Sequence, residues 1–216
     1  MDPCIQTRFG NVVNLVDPDP STIDLADITY ALSNISRFTG HASPPYTVAA
    51  HSLIVLQLVR QCLTLPDPVV EMWALMHDAA EAYIGDISSP LKELLLIHSD
   101  DGWSASRSLK TQEERILRVI QKGLNLPPLP LPKAVSQADR VALAIEMPVL
   151  MPGPLTDSVV QAAADSWPVG CSLTWIQEAI LDLAARSPQD VRNRFHAAYC
   201  DLHNNLALTE PAVSVQ

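Results

Sequence analysis

The chain has 216 residues, 48% hydrophobic and 18% charged, with a formal net charge of −10. That length and apolar content suit one domain with a sizeable core and exclude a disordered chain. The acidity argues against a polyanionic partner such as DNA or RNA, although a small phosphorylated ligand needs only a local basic pocket.

Cys4, Cys62, Cys171 and Cys200 are far apart and form no C-x-x-C pair. Neither a zinc ribbon nor a disulfide framework is expected, and a reducing compartment follows. The opening "MDPCIQTRFG" has no basic segment leading into an apolar run, so no secretory signal is expected. No stretch is apolar for the roughly 18 residues a membrane span requires. A cytoplasmic protein with no membrane or nucleic-acid partner is the expectation.

In chain order, "IQTRFGNVVNLVDP" places β-branched residues on both sides of Gly10-Asn11, which predicts a short hairpin. Ser21 is the expected N-cap of a first helix whose apolar residues run from Ile23 to Ile35 at helical spacing. "RFTGHASPPY" is a loop. Helices are expected over Thr47–Leu63 and Pro68–Tyr83, the second with proline in its first turn. A short helix over Pro90–Ile97 and an amphipathic one over Ser104–Gly123 follow. "NLPPLPLPK" is too rich in proline for helix. Helices over Ala134–Met147, Ser172–Arg186 and Pro188–Leu206 complete the set, with a proline-rich loop at "MPVLMPGPL". The expected fold is all-α with a small N-terminal β-hairpin. It forms a single domain over residues 1–206, and 207–216 form a flexible tail.

The stretch "WALMHDAAEAYIGDISSPLK" carries the chemistry. An apolar helix runs into His77, Asp78 and Glu81, and Asp86 and Lys92 follow a glycine and a proline. On a helix His77 and Asp78 diverge by about 100°, so both reach one ion only if it lies against the seam between them. Glu81 falls on the same face one turn later, as an acid or base. A carboxylate buried without a partner costs several kcal/mol, so this cluster should be paired or metal-bound. His51, in "YTVAAHSLIVLQLV", is another polar ring in an apolar helix. Asp139, in "SQADRVALAIEM", opens a further apolar run. Taken singly, His51 is a satisfied core histidine and Asp139 an acid favoured by the helix dipole. Together, His51, His77, Asp78 and Asp139 make a mixed N/O set on three helices. It suits Mn²⁺, Co²⁺, Zn²⁺, Fe²⁺ or Mg²⁺ and leaves room for water and substrate.

This pattern, H…HD…D, resembles the signature of the HD-domain metal-dependent phosphohydrolases. The likeness is to the bacterial and phage branch that includes 5′-deoxynucleotidases and phage dATP triphosphohydrolases. It rests on "ISRFTGH", "YTVAAHS", "ALMHDAAEAYIGDISSPLK" and "ADR", and runs from about residue 5 to residue 147. It implies an HD-type helical bundle and a divalent metal held by His51, His77, Asp78 and Asp139. It also implies Glu81 as acid or base beside the attacking water, Asp86 as the group that orients or activates that water or protonates the leaving oxygen, and Arg37 as a phosphate ligand. Lys92 is a second phosphate candidate, and Arg107, Lys110 and Arg140 are possible further contacts. Where the nucleotidases have a tryptophan near the sugar, this chain has Phe38, which leaves deoxyribose selectivity open. The resemblance further implies homo-oligomers.

The expected activity is hydrolysis of a deoxynucleotide at its 5′ phosphate ester, from either a monophosphate or a triphosphate. Two alternatives stand beside it. One is an HD hydrolase of alarmone or cyclic nucleotides, although Glu81-Ala82 lacks the second acid typical of alarmone hydrolases. The other is a non-catalytic nucleotide-binding regulatory protein.

Overall fold

The computed structural model describes residues 3–62, 65–97, 107–151, 153–154, 158 and 173–209. Strands β1 (Cys4–Gln6) and β2 (Val12–Asn14) pair antiparallel, as the residues flanking Gly10-Asn11 predict. Gly10 takes a φ of 93° in the connection, a region open to glycine but strained for most residues. Buried Asp27 fastens the hairpin to the first helix. Its carboxylate accepts from Thr7 Oγ1 (2.7 Å), the Phe9 amide (3.0 Å) and Asn11 Nδ2 (2.7 Å).

Helix α1 spans Leu25–Leu32 and is capped by Asp24, which accepts from the Ala26 amide at 2.8 Å. The cap is therefore not Ser21. That residue lies in a 3₁₀ turn (Pro20–Thr22) whose own cap is Asp19, and Ile23 is extended. Two aspartates, each followed by its own turn, outcompete the single serine.

Helix α2 (Val48–Cys62) is the centre of the bundle. Val48 through Leu56 are all buried, because the helix packs against α1 and four others. Those are α3 (Pro68–Met76), α7 (Lys133–Leu150), α8 (Leu173–Ala184) and α9 (Pro188–Thr209). A helix apolar on every side belongs in such a position. Each fully buried Val, Leu or Ile there contributes about 1.5–3 kcal/mol.

Helix α3 begins on Asp67, which accepts from the Val69 and Val70 amides, with Pro68 in the first turn. It does not continue to Tyr83. The chain stops being α-helical at His77, crosses a turn, and resumes as the four-residue helix α4 (Glu81–Ile84). Gly85, with φ 80°, ends α4. Helix α5 (Ser89–Lys92) is shorter than expected. Strand β3 (Leu96–Ile97) follows and pairs with β4 (Arg107–Ser108), a second small hairpin that the sequence reading did not contain. Helix α6 spans Leu109–Gly123, and the expected helical start at Ser104 lies outside the described residues. Gly123 lies against the 3₁₀ turn, where an added Cβ would come within 2.6 Å of the Pro20 carbonyl oxygen.

Helix α7 runs three residues past the expected end, through Pro148, so part of "MPVLMPGPL" is helix. Helix α9 extends to Thr209, and residues 210–216 of the expected tail lie outside the described residues. Cys4 and Cys200 are free thiols, while the side chains of Cys62 and Cys171 lie outside the described residues. The described structure is thus mostly helical with a small N-terminal sheet. Among the described residues, no helix is long and apolar enough to cross a membrane.

Candidate metal centre

The helix break at His77 builds the site. Within the turn the amides of Ala79, Glu81, Ala82 and Tyr83 bond to carbonyls three residues back, at 2.9–3.2 Å. The Ala74 carbonyl, which a regular helix would offer to the Asp78 amide, accepts from His77 Nδ1 instead, at 2.9 Å. That bond fixes the ring: Nδ1 donates to the carbonyl, and Nε2 is turned toward the acids, available to a metal once it gives up its proton.

His51 is fixed in the same sense. It is fully buried in the second turn of α2, and its Nδ1 lies 2.7 Å from Glu146 Oε1. Its Nε2 faces Asp139 Oδ1 at 3.1 Å and Asp78 Oδ2 at 3.6 Å. The two imidazole rings are 5.3 Å apart between centroids. His77 Nε2 is 3.1 Å from Asp78 Oδ2 and 4.0 Å from Asp139 Oδ1. It is buried and has no hydrogen-bond partner among the described residues.

One ligand atom each from His51, His77 and Asp139 lie within 4.8 Å of one another, a group able to hold a metal ion. Asp78 stands at its edge. The donor set fits a divalent metal: two imidazole nitrogens with their other nitrogens engaged, and carboxylates beside them. Asp139, with a side chain 43% exposed, is on the open side of the group.

Charge balance points the same way. Burial and Arg37 push His51 down, but Glu146 and Asp139 outweigh them and bring it up to about 10. Burial likewise opposes the His77 imidazolium, yet Asp78 and then Asp139 raise its pKa. Asp78 is pushed up by burial and held well below the usual carboxylate range by His77, His51 and Arg37. Protons on the imidazoles thus supply the positive charge that these carboxylates require.

Around this group the remaining expected residues gather. Arg37 is held beside Tyr46 by a backbone bond, the Arg37 amide donating to the Tyr46 carbonyl at 2.8 Å. Its guanidinium is nearly buried, with Nη1 3.8 Å from Asp78 and Nη2 3.3 Å from Glu146. Phe38, Thr39 and Gly40 all have positive φ, an uncommon run that turns the chain directly after Arg37. The Arg37 guanidinium sits over the Phe38 ring, 5.3 Å from its centroid.

Glu81 is 5% exposed, and Oε2 has no hydrogen-bond partner among the described residues. Burial, then Asp78 and Asp86, push its carboxyl up to about 9 against the pull of Lys92 and Arg37. Asp86 is also raised, by burial first, with Arg37 opposing and Asp78 adding. Lys92 Nζ lies 3.7 Å from Glu81 and 2.7 Å from Glu113 on α6. Among the more distant candidates, Lys110 and Arg140 are exposed, and the Arg107 side chain lies outside the described residues.

The sequence reading missed Glu146 and Tyr46. Glu146 is fully buried and accepts from Tyr46 Oη at 3.0 Å. A signal was present: Glu146 follows Asp139 by seven residues, two helical turns, and is the one acid in the run "VALAIEM".

No protein-family model matches the chain. It is 41% identical over 124 residues to the uncharacterized protein YfdR of Escherichia coli (strain K12), covering 57% of this chain and 59% of that one. It is 29% identical over 146 residues to an uncharacterized protein of Rhodobacter capsulatus, covering 63% of this chain and 67% of that one. The chain therefore spans 59% of the first relative's length, and neither likeness carries an activity with it.

Proposed function

We propose that the chain is a metal-dependent phosphohydrolase of the HD-domain kind, which cleaves a deoxynucleotide at its 5′ phosphate ester. One observation carries the reading. His51 from α2, His77 from the end of α3 and Asp139 from α7 bring ligand atoms within 4.8 Å of one another. Beside them are a guanidinium and a buried carboxyl whose pKa is raised to about 9.

A divalent ion held by His51, His77, Asp139 and Asp78 would supply charge neutralisation at the phosphate and a water of lowered pKa. The side chains supply the rest. Arg37, whose Nε has no hydrogen-bond partner among the described residues, binds phosphoryl oxygens. Glu81, whose proton affinity is raised by burial and by Asp78 and Asp86, is suited to pass a proton to the departing 5′ oxygen. Asp86, raised less, supports it. Lys92 takes up the charge of a longer phosphate chain once it leaves Glu113. Positioning and electrostatics dominate such a reaction, because little covalent work falls to the protein.

The test is release of phosphate or triphosphate from paired deoxy- and ribonucleotides, with dAMP and dATP side by side, with and without Mn²⁺, Co²⁺ or Mg²⁺. Metal-dependent release from a deoxynucleotide supports the reading. Full turnover in the presence of a chelator, or cleavage of only cyclic or bis-phosphorylated nucleotides, overturns it.

A further inference from the structure

Glu146 touches both halves of the site. Its Oε1 accepts from His51 Nδ1 at 2.7 Å and from Tyr46 Oη at 3.0 Å. Its Oε2 faces Arg37 Nη2 at 3.3 Å. The residue is fully buried, and among the described residues Oε2 has no hydrogen-bond partner, so the Arg37 charge is what it faces. His51 offers its other nitrogen to the proposed ion, and Arg37 is the proposed phosphate ligand. From these contacts we propose that Glu146 is a positioning residue that couples the metal ligand to the phosphate clamp. This deepens the proposed function and rests on it.

The two oxygens do different work. Two donors converge on Oε1, so an acceptor must stand there. That bond keeps His51 in the tautomer whose Nε2 can ligate, the role a carboxylate commonly plays behind a metal-bound histidine. Oε2 is an anchor of opposite charge for Arg37. It keeps the guanidinium from collapsing onto Asp78, 3.8 Å away, which would spend the phosphate ligand on a metal ligand.

Glu146→Gln separates the two roles. The amide oxygen takes the Oε1 position, where His51 and Tyr46 both donate, and the amide nitrogen is left facing Arg37, donor against donor. Mn²⁺ affinity, by calorimetry, should stay within about threefold of wild type. Inorganic phosphate binding to the Mn²⁺-loaded protein should weaken about 10- to 100-fold, the value of one charge-assisted hydrogen bond. With the substrate found in the nucleotide panel, KM should rise by a similar factor while kcat changes little. Glu146→Asp withdraws the carboxylate from both partners, and Mn²⁺ and phosphate binding should then weaken together. The proposal is overturned if Glu146→Gln leaves phosphate binding unchanged, or if Glu146→Asp leaves both affinities unchanged. Wild type that binds no Mn²⁺ sinks the metal reading and this proposal with it. Wild type that binds both ligands, with variants that match it, sinks this proposal alone.

Discussion

Glu146 and Glu81 are both buried glutamates that feel the charge of Arg37, yet their proton affinities move in opposite directions. Glu146 has His51, Tyr46 and Arg37 around it. Burial would raise its pKa, but those partners hold it below the ordinary glutamate value. The cations that act on Glu81 are Lys92, at 3.7 Å, and then Arg37, and the lysine is more closely engaged by Glu113. Burial raises its pKa, Asp78 and Asp86 add to the rise by repelling its charge, and the carboxyl is pushed up to about 9. Burial is common to the two and so decides nothing. The partners decide, and they make one carboxylate a fixed anion and the other a proton carrier.

The largest way to break this contrast is His51→Ala. It removes a proposed ligand and the closest partner of Glu146. Folding stability should fall by about 3–5 kcal/mol, the usual result of stripping one member from a buried charged pair. Urea denaturation reads the loss, and Mn²⁺ titration should show no high-affinity binding. An unchanged midpoint would mean that Arg37 and Tyr46 alone satisfy Glu146.

Glu81→Gln tests the other side. Turnover should drop by about 10²- to 10⁴-fold, the usual worth of a general acid or base, while Mn²⁺ content stays the same. The metal-free protein gives a second signal. Folded Glu81 binds its proton more tightly than the unfolded chain does. Its contribution to stability therefore falls as pH rises from the unfolded glutamate value through about 9. Replacing it by glutamine should flatten that part of the stability curve. A curve as steep as wild type would remove Glu81 as its source.

The contrast also predicts how metal and protons compete. With His51 brought up to about 10, a bound ion must displace an imidazolium proton. Mn²⁺ affinity should rise with pH between about 6 and 8, by at most about tenfold per unit for each proton released. The smallest effect belongs to Lys92→Met. Losing the cation nearest Glu81 should move the pH limb set by that residue upward, by about one unit or less.

Much of the fold was legible because its signals were local: β-branched residues around Gly10-Asn11, an aspartate and proline opening α3, an unbroken apolar run for α2. The three metal-ligand candidates that cluster were found because imidazoles and carboxylates stand out in apolar helices. What escaped depended on distant partners. Glu146 has meaning only once Arg37 and His51 lie beside it, 109 and 95 positions away in sequence. Strands β3 and β4 have two residues each, too few for alternation to be recognised. The expected helix over Pro68–Tyr83 had the right composition throughout. It failed because an imidazole took a carbonyl that backbone propensity assigns to an amide.

That substitution at Ala74 sets local order against chemistry. A mutation that restored the regular ladder through residues 77–81, gaining helix stability, would return the Ala74 oxygen to the main chain and let the His77 ring rotate or swap its proton. In this segment, improving the helix and freeing the His77 ring are a single event, so stability-directed changes there would select against whatever the imidazole does.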